Sequence, residues 1–91
     1  MDEPTPLPLD GVLDLHTFRP DEIGDLIREY VAECRARRIL RIRIIHGKGT
    51  GQLRQGVHAL LRKMAEVESY QLAGPALGGW GATIVTLNPL V

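Results

Sequence analysis

The stretch "RIRIIHGKGTGQLR", residues 41–54, passes from a β-branched apolar run into three glycines and a lysine, then into a helical pattern. Within "ILRIRII", 39–45, Leu40, Ile42 and Ile44 alternate with Arg41 and Arg43, the period-two signature of a strand with one buried face. Beyond the glycines, Leu53, Val57, Leu60, Leu61 and Met64 line one side of a helix spanning about 51–65. Gly56 interrupts that stripe at roughly 1 kcal/mol relative to alanine, which points to close packing there. Gly47, Gly49 and Gly51 permit left-handed backbone and let an anion approach main-chain N–H groups. The helix aims its own unsatisfied amides at the same place, and Lys48 adds a cation. Thr50 is placed to cap the helix. The loop matches neither G-x-x-x-x-G-K-[ST] nor G-x-G-x-x-G. A small nucleotide, a nucleic-acid backbone and a purely structural turn all remain open as its purpose.

Working outward, Pro20 with Asp21 and Glu22 opens an earlier helix, since proline suits the first helical position and acids suit its positive end. Ile23, Leu26, Ile27, Tyr30, Val31 and Cys34 fall on one apolar stripe. "GVLDLH", 11–16, reads as a strand with Leu13 and Leu15 on one face and Asp14 and His16 on the other. "SYQLA" (69–73) and "ATIVTL" (82–87) read as two further strands joined by the glycine-rich "GPALGGWG". Residues 1–10, with Pro4, Pro6 and Pro8, read as a flexible arm, and 11–91 as a single domain.

The order β-α-β-α-β-β predicts a largely parallel sheet made mixed by an antiparallel member. Two helices can cover only one face of four strands, so the fold class is α/β, a two-layer α+β sandwich with its second sheet face partly open. Asp14, His16, Arg41 and Arg43 would project from that face.

No segment approaches the roughly 18 apolar residues of a membrane span, and the N-terminus has no secretory pattern. A single cysteine, Cys34, suits a reducing compartment, and the expectation is a cytoplasmic protein. Net charge is zero, yet residues 34–65 hold Arg35, Arg37, Arg38, Arg41, Arg43, Lys48, Arg54, Arg62 and Lys63 with no acid. That segregation predicts a basic face around the glycine loop, and basic faces attract polyanions.

Parallel strands align their carboxyl ends, and open α/β sheets bind ligands just beyond them. His16-Thr17 and His46-Gly47-Lys48-Gly49 therefore become neighbours. A carboxylate two residues from an imidazole on one strand face can orient it and fix its tautomer for acid–base work; an edge contact for Asp14 and a backbone bond for His16 are the plain alternatives. His46 follows the inward parity of Ile42 and Ile44 but sits at the strand end, so support of the loop and contact with substrate are both open. His58 reads as a boundary residue. The histidines and Cys34 have no zinc-ligand spacing. Trp80 offers either a stacking surface for an unpaired base or, on the plainer reading, a partly buried ring closing a hairpin.

"LDLH" (13–16), "HGKGTGQLR" (46–54) and "GGWGAT" (78–83), in this order on this element pattern, resemble the small MutS-related, or Smr, domain. The likeness covers residues 11–88. It implies a fold similar to the C-terminal domain of translation initiation factor three, and nucleic-acid binding, often with endonuclease or nicking activity on DNA or RNA. By position, the family's acid and histidine fall on Asp14 and His16, its glycine loop on His46, Gly47, Lys48, Gly49 and Gly51, and its late glycines on Gly78, Gly79 and Gly81. Family members commonly continue the first motif with glycine, where this chain has Thr17 and then Phe18; a β-carbon there would narrow the approach to His16 or alter the turn.

The leading expectation is an endonuclease acting on RNA or structured DNA. Asp14, His16 and Lys48 would be catalytic, and His46, Gly47, Gly49, Thr50, Gly51, Arg41, Arg43 and Arg37 would hold phosphate and backbone. A divalent cation, Mg²⁺ or Mn²⁺, stays open as a participant, and oligomeric state is not fixed by the pattern. The runner-up is a binding module without chemistry, recruited to ribosomes, RNA or branched DNA. A small nucleotide-binding enzyme is the third.

Overall fold

The computed structural model describes residues 9–77 and 79–90. Residues 1–8 of the proline arm, Gly78 and Val91 lie outside these. Leu9 packs against the core and Asp10 Oδ1 accepts from the Val12 amide, so these two residues already belong to the folded unit.

The elements are β1 (Val12–Asp14), α1 (Pro20–Ala36), β2 (Arg41–Ile45), α2 (Gln52–Lys63), β3 (Val67–Leu72) and β4 (Ala82–Leu87). Two short 3₁₀ turns, Pro75–Leu77 and Gly79–Gly81, lie between the last two strands. The expected order and both helices are present, with strand ends differing by a few residues. The sheet runs β1-β2-β4-β3. Only β1 and β2 pair in parallel; β4 is antiparallel to both β2 and β3. Expecting a largely parallel sheet was wrong, because β4 folds back between β2 and β3 and reverses two of the three pairings. A bulge at Val67/Ser69 interrupts the β3–β4 register.

One sheet face and both helix stripes make the core. Leu13, Ile42, Ile44, Val85 and Leu87 meet Ile23, Ile27, Val31, Cys34, Val57 and Leu61. The Tyr30 hydroxyl donates to the Val12 carbonyl and accepts from the Gly11 amide, tying α1 to the start of β1. Gly11 is required there: its φ is +86°, and a β-carbon would lie 3.2 Å from the Arg41 carbonyl. α1 starts with Pro20, and the Arg19 amide donates to Glu22 Oε1.

The other sheet face is partly roofed. Ala73, Ala82 and Ile84 form a small buried cluster with Ile45 beside it. Arg43 Nη1 donates to the Leu77 carbonyl, anchoring the 74–81 segment above.

Between the N-terminal halves of the two helices lies an apolar groove of about 500 Å³, lined by Leu15, Phe18, Ile23, Gly24, Leu53 and Gly56 among others. A β-carbon on Gly56 would meet nothing within 4 Å. Gly56 is thus not a close-packing glycine; it faces the groove.

Candidate nucleic-acid interface

The carboxyl ends of β1 and β2 and the start of β4 share one rim of the sheet, with Asp14 opposite Ile45 and Ile45 opposite Ala82. Strand spacing of about 5 Å sets the sequence of groups along it: Asp14 and His16, then the loop 46–51, then the turn 79–81.

At the first position the chain leaves β1 in a turn closed by the Phe18 amide on the Leu15 carbonyl. His16 Nδ1–H donates to Asp14 Oδ1 at 2.7 Å, and the His16 amide donates to the same oxygen at 3.0 Å. These two bonds, the imidazole one first, hold the Asp14 carboxyl below its ordinary range. Because a carboxylate oxygen only accepts, Nδ1 carries a proton, and Nε2 has no partner among the described residues. The imidazole side chain is 72% exposed. Thr17 adds no backbone strain: Arg38 is the one non-glycine at positive φ among the described residues.

The second position is the glycine loop. Gly47, Gly49 and Gly51 have φ of +81°, +32° and +86°. Gly51, not Thr50, is the N-cap of α2, in a left-handed conformation that glycine alone adopts freely. Thr50 Oγ1 instead accepts a long bond, 3.4 Å, from the Gln52 amide. The Gly47 amide is already committed: it donates to the Gly81 carbonyl, as does the His46 amide. The chain turns at Gly49 and Thr50, bringing the Gly51 amide back onto the Lys48 carbonyl, and no main-chain carbonyl among the described residues accepts from the amides of Lys48, Gly49 or Thr50. These, with the first turn of α2, surround a shallow cavity of about 240 Å³ beside Lys48 and Arg54. Three free amides, a helix N-terminus and two cations favour an anion.

His46, grouped above with the phosphate-holding residues, is 5% exposed and turned inward. Its Nδ1–H donates to the Gly47 carbonyl at 3.0 Å, which makes Nε2 the acceptor for the Thr83 hydroxyl at 2.8 Å. The Thr83 oxygen in turn accepts from His58 Nε2–H at 2.7 Å. This chain of three side chains, absent from the sequence reading, ties the loop to β4 and α2. Its signals were modest: Thr83 has inward parity in β4, and His58 lies one position from the α2 stripe. Burial, then the neighbouring His46, Arg54 and Arg62, push the His58 pKa down.

The arginines do not gather round the loop. Arg37 caps the C-terminus of α1, and that end lies at the opposite rim, where Arg35 Nε donates to the Asn88 carbonyl beyond β4. Arg41 sits at the same far end, about 13 Å from Ile45 at 3.3 Å per strand residue. The crossover helix carries its C-terminus away from the rim that its N-terminus starts from. The expected single basic face is therefore divided between two rims, with Arg43 half-buried between them and one of its donors engaged.

The third position holds Trp80, which is 68% exposed rather than packed into a hairpin. Among the described residues no three His, Cys, Asp or Glu side chains cluster as metal ligands; at this rim, Asp14 Oδ2 is a carboxylate oxygen still open to a cation. No described helix is long and apolar enough to cross a membrane.

The Smr domain profile matches residues 13–88. Endonuclease MutS2 of Thermomicrobium roseum is 40% identical over 76 residues, 84% of this chain and 10% of that protein. Endonuclease MutS2 of Thermus thermophilus is 43% identical over 63 residues, 69% of this chain and 8% of that protein. The chain thus spans about a tenth of the length of these curated relatives. The crystal structure of the Smr domain of Thermus thermophilus MutS2 superposes with a TM-score of 0.81 at 38% identity, covering 86% of this chain and 98% of that one. YdaL, a stand-alone small MutS-related protein from Escherichia coli, gives 0.79 at 28% identity, covering 88% and 66%. With a matching profile across the sheet and both helices, and the same fold in relatives of this identity, the chain belongs to the Smr domain family.

Proposed function

We propose that this domain binds nucleic acid along the rim and cleaves a phosphodiester bond there, as an endonuclease or nickase on RNA or structured DNA. The observation that carries the reading is an imidazole held by a carboxylate, its Nε2 free, one strand away from a loop of unengaged amides and a lysine. In this scheme the amides of 48–50 and the Lys48 side chain take the phosphate oxygens and stabilise the charge that builds on them. His16 Nε2 takes the proton from the attacking oxygen, whether a water or an RNA 2′-hydroxyl, as that oxygen bonds to phosphorus; the P–O bond to the leaving oxygen breaks, and the imidazolium, supported by Asp14, gives the proton to that oxygen. His46 shapes the loop without touching substrate. Arg54 and Arg43 lie nearest to flanking phosphates, while Arg37 and Arg41 serve only a strand long enough to cross the sheet. A cytoplasmic setting fits both the substrate and the buried, unpaired thiol of Cys34. The names of the MutS2 relatives agree with the chemistry, and those proteins are far longer than this chain.

A second reading keeps binding and drops cleavage. It is favoured by the exposure of His16, which leaves the pair in bulk water rather than in a desolvated site. Wild type, His16→Ala and Lys48→Ala incubated with labelled single-stranded RNA, duplex DNA and branched DNA, with and without chelator, separate the two. Cleavage is expected to vanish in His16→Ala with affinity within about twofold of wild type, and Lys48→Ala is expected to weaken binding about fivefold or more, about 1 kcal/mol. Equal cleavage by all three proteins would reject the catalytic assignment.

A further inference from the structure

We infer that Trp80 is a stacking platform for an unpaired base, so that the nucleic acid held at this rim is single-stranded next to the phosphate at Lys48–Gly51. The inference rests on reading the rim as a nucleic-acid site and specifies the form of the ligand. A tryptophan that is 68% exposed leaves most of a large apolar surface in water, and no other residue of this size is so exposed among the described residues. No ring among the described residues stacks on it; the aromatic contacts are His46 with His58 and His58 with Tyr70. Its neighbours Gly79 and Gly81 carry no side chains that could cover the indole, and Gly79 takes a φ of +56° to form the turn.

The position is as telling as the exposure. The residue after Trp80 supplies the carbonyl that accepts from both the His46 and Gly47 amides, at 3.0 and 2.9 Å. The Lys48 side chain passes alongside, with Cγ 3.5 Å from where a β-carbon on Gly81 would be. The main chain next to Trp80 is thereby tied to the anion loop by two hydrogen bonds, so the indole is not carried on an independent flap. Leu77, 42% exposed, extends the apolar patch on the same segment. An aromatic face set beside a phosphate site matches a nucleotide whose base is free to leave its neighbours. Every base offers such a face, so the platform reads strandedness and not sequence. Bases inside an intact duplex cannot reach it.

Trp80 is the sole tryptophan of the chain, so its fluorescence reports on the site directly. The test titrates wild type, Trp80→Ala, Trp80→Phe and Lys48→Ala with oligo-uridine, oligo-thymidine and a blunt duplex of equal length, following emission and the anisotropy of a labelled strand. Both single strands are expected to quench wild-type emission at saturation. Trp80→Ala is expected to lose about 5- to 150-fold in affinity for them, the range of one base–aromatic stack, with duplex affinity unchanged and Trp80→Phe recovering part of the loss. Unquenched emission at saturation, or single-strand affinity in Trp80→Ala equal to wild type, overturns the inference. If Lys48→Ala alone weakens binding, the stacking role fails and the anion loop stands. If no variant differs from a wild type that binds no nucleic acid, the reading of the rim fails with it.

Discussion

Replacing Thr83 with valine keeps the shape of a fully buried side chain and removes the hydroxyl that joins two histidines. No cavity forms, so the effect isolates the polar bonds. His46 Nε2 would be left without a donor at a site 5% exposed, where an unsatisfied acceptor costs about 1–3 kcal/mol. His58 is half-buried and recovers water, so its lost bond removes about 0.5–1.5 kcal/mol. Burying a methyl in place of the hydroxyl returns roughly 0.8 kcal/mol. The net loss is about 2 kcal/mol. In a urea titration followed by circular dichroism, that is a midpoint lower by about 1 M with an unchanged slope, and in a thermal scan a fall of roughly 8–16 °C. Thr83→Ser, which keeps the hydroxyl, should retain the anchoring of the loop, seen as slow exchange of the Gly47 amide. A Thr83→Val protein that unfolds at the wild-type midpoint, with unchanged protection at Gly47, would refute the claim that this bridge holds the anion loop.

Gly56→Ala is expected to stabilise the domain by about 1 kcal/mol, because the helix gains a better former and the new methyl meets open space; a lower melting temperature would contradict the described groove. Gly51→Ala should lose about 1–2 kcal/mol, since the cap sits at φ +86° and its β-carbon would lie 2.9 Å from Arg54 Nη2; equilibrium unfolding measures it. Stability should also fall on acidification. The folded-state pKa of His58 is depressed below 6.5, so between the two values the unfolded chain binds the extra proton, and stability present above about pH 6.5 declines below it. The depressed Asp14 carboxyl acts in the same sense lower down, its contribution present above 3.8 and lost as the pH drops through its folded value. His58→Gln should flatten the first decline, read as midpoint against pH.

The elements were legible because each advertises its period. The α1 stripe and the Pro20 start place that helix, and 82–87 is a strand in sequence and structure alike. The juxtaposition of Asp14–His16 with the glycine loop also follows from topology, since a crossover connects neighbouring parallel strands. Strand order was harder: nothing local in "ATIVTL" tells β4 to enter between β2 and β3. The same long-range pairing hides the role of Thr83, whose hydroxyl matters only once β4 lies beside His46. Arg37 was misplaced for a related reason, because clustering in sequence ignores that a helix carries its two ends to opposite rims. Gly56 was misjudged and Trp80 left open because a close-packed glycine and a partly buried indole are both defined by neighbours, and here the neighbours stand away.

The bulge at Val67/Ser69 has a bearing on how this domain meets other molecules. Unprotected outer strands invite further chains to join a sheet by main-chain pairing. Here one outer strand, β1, has three residues, and the other, β3, is kinked and presents Glu68 to solvent. Both flanks of the sheet thus resist lateral extension, which discourages fibre-like self-association through the sheet edges.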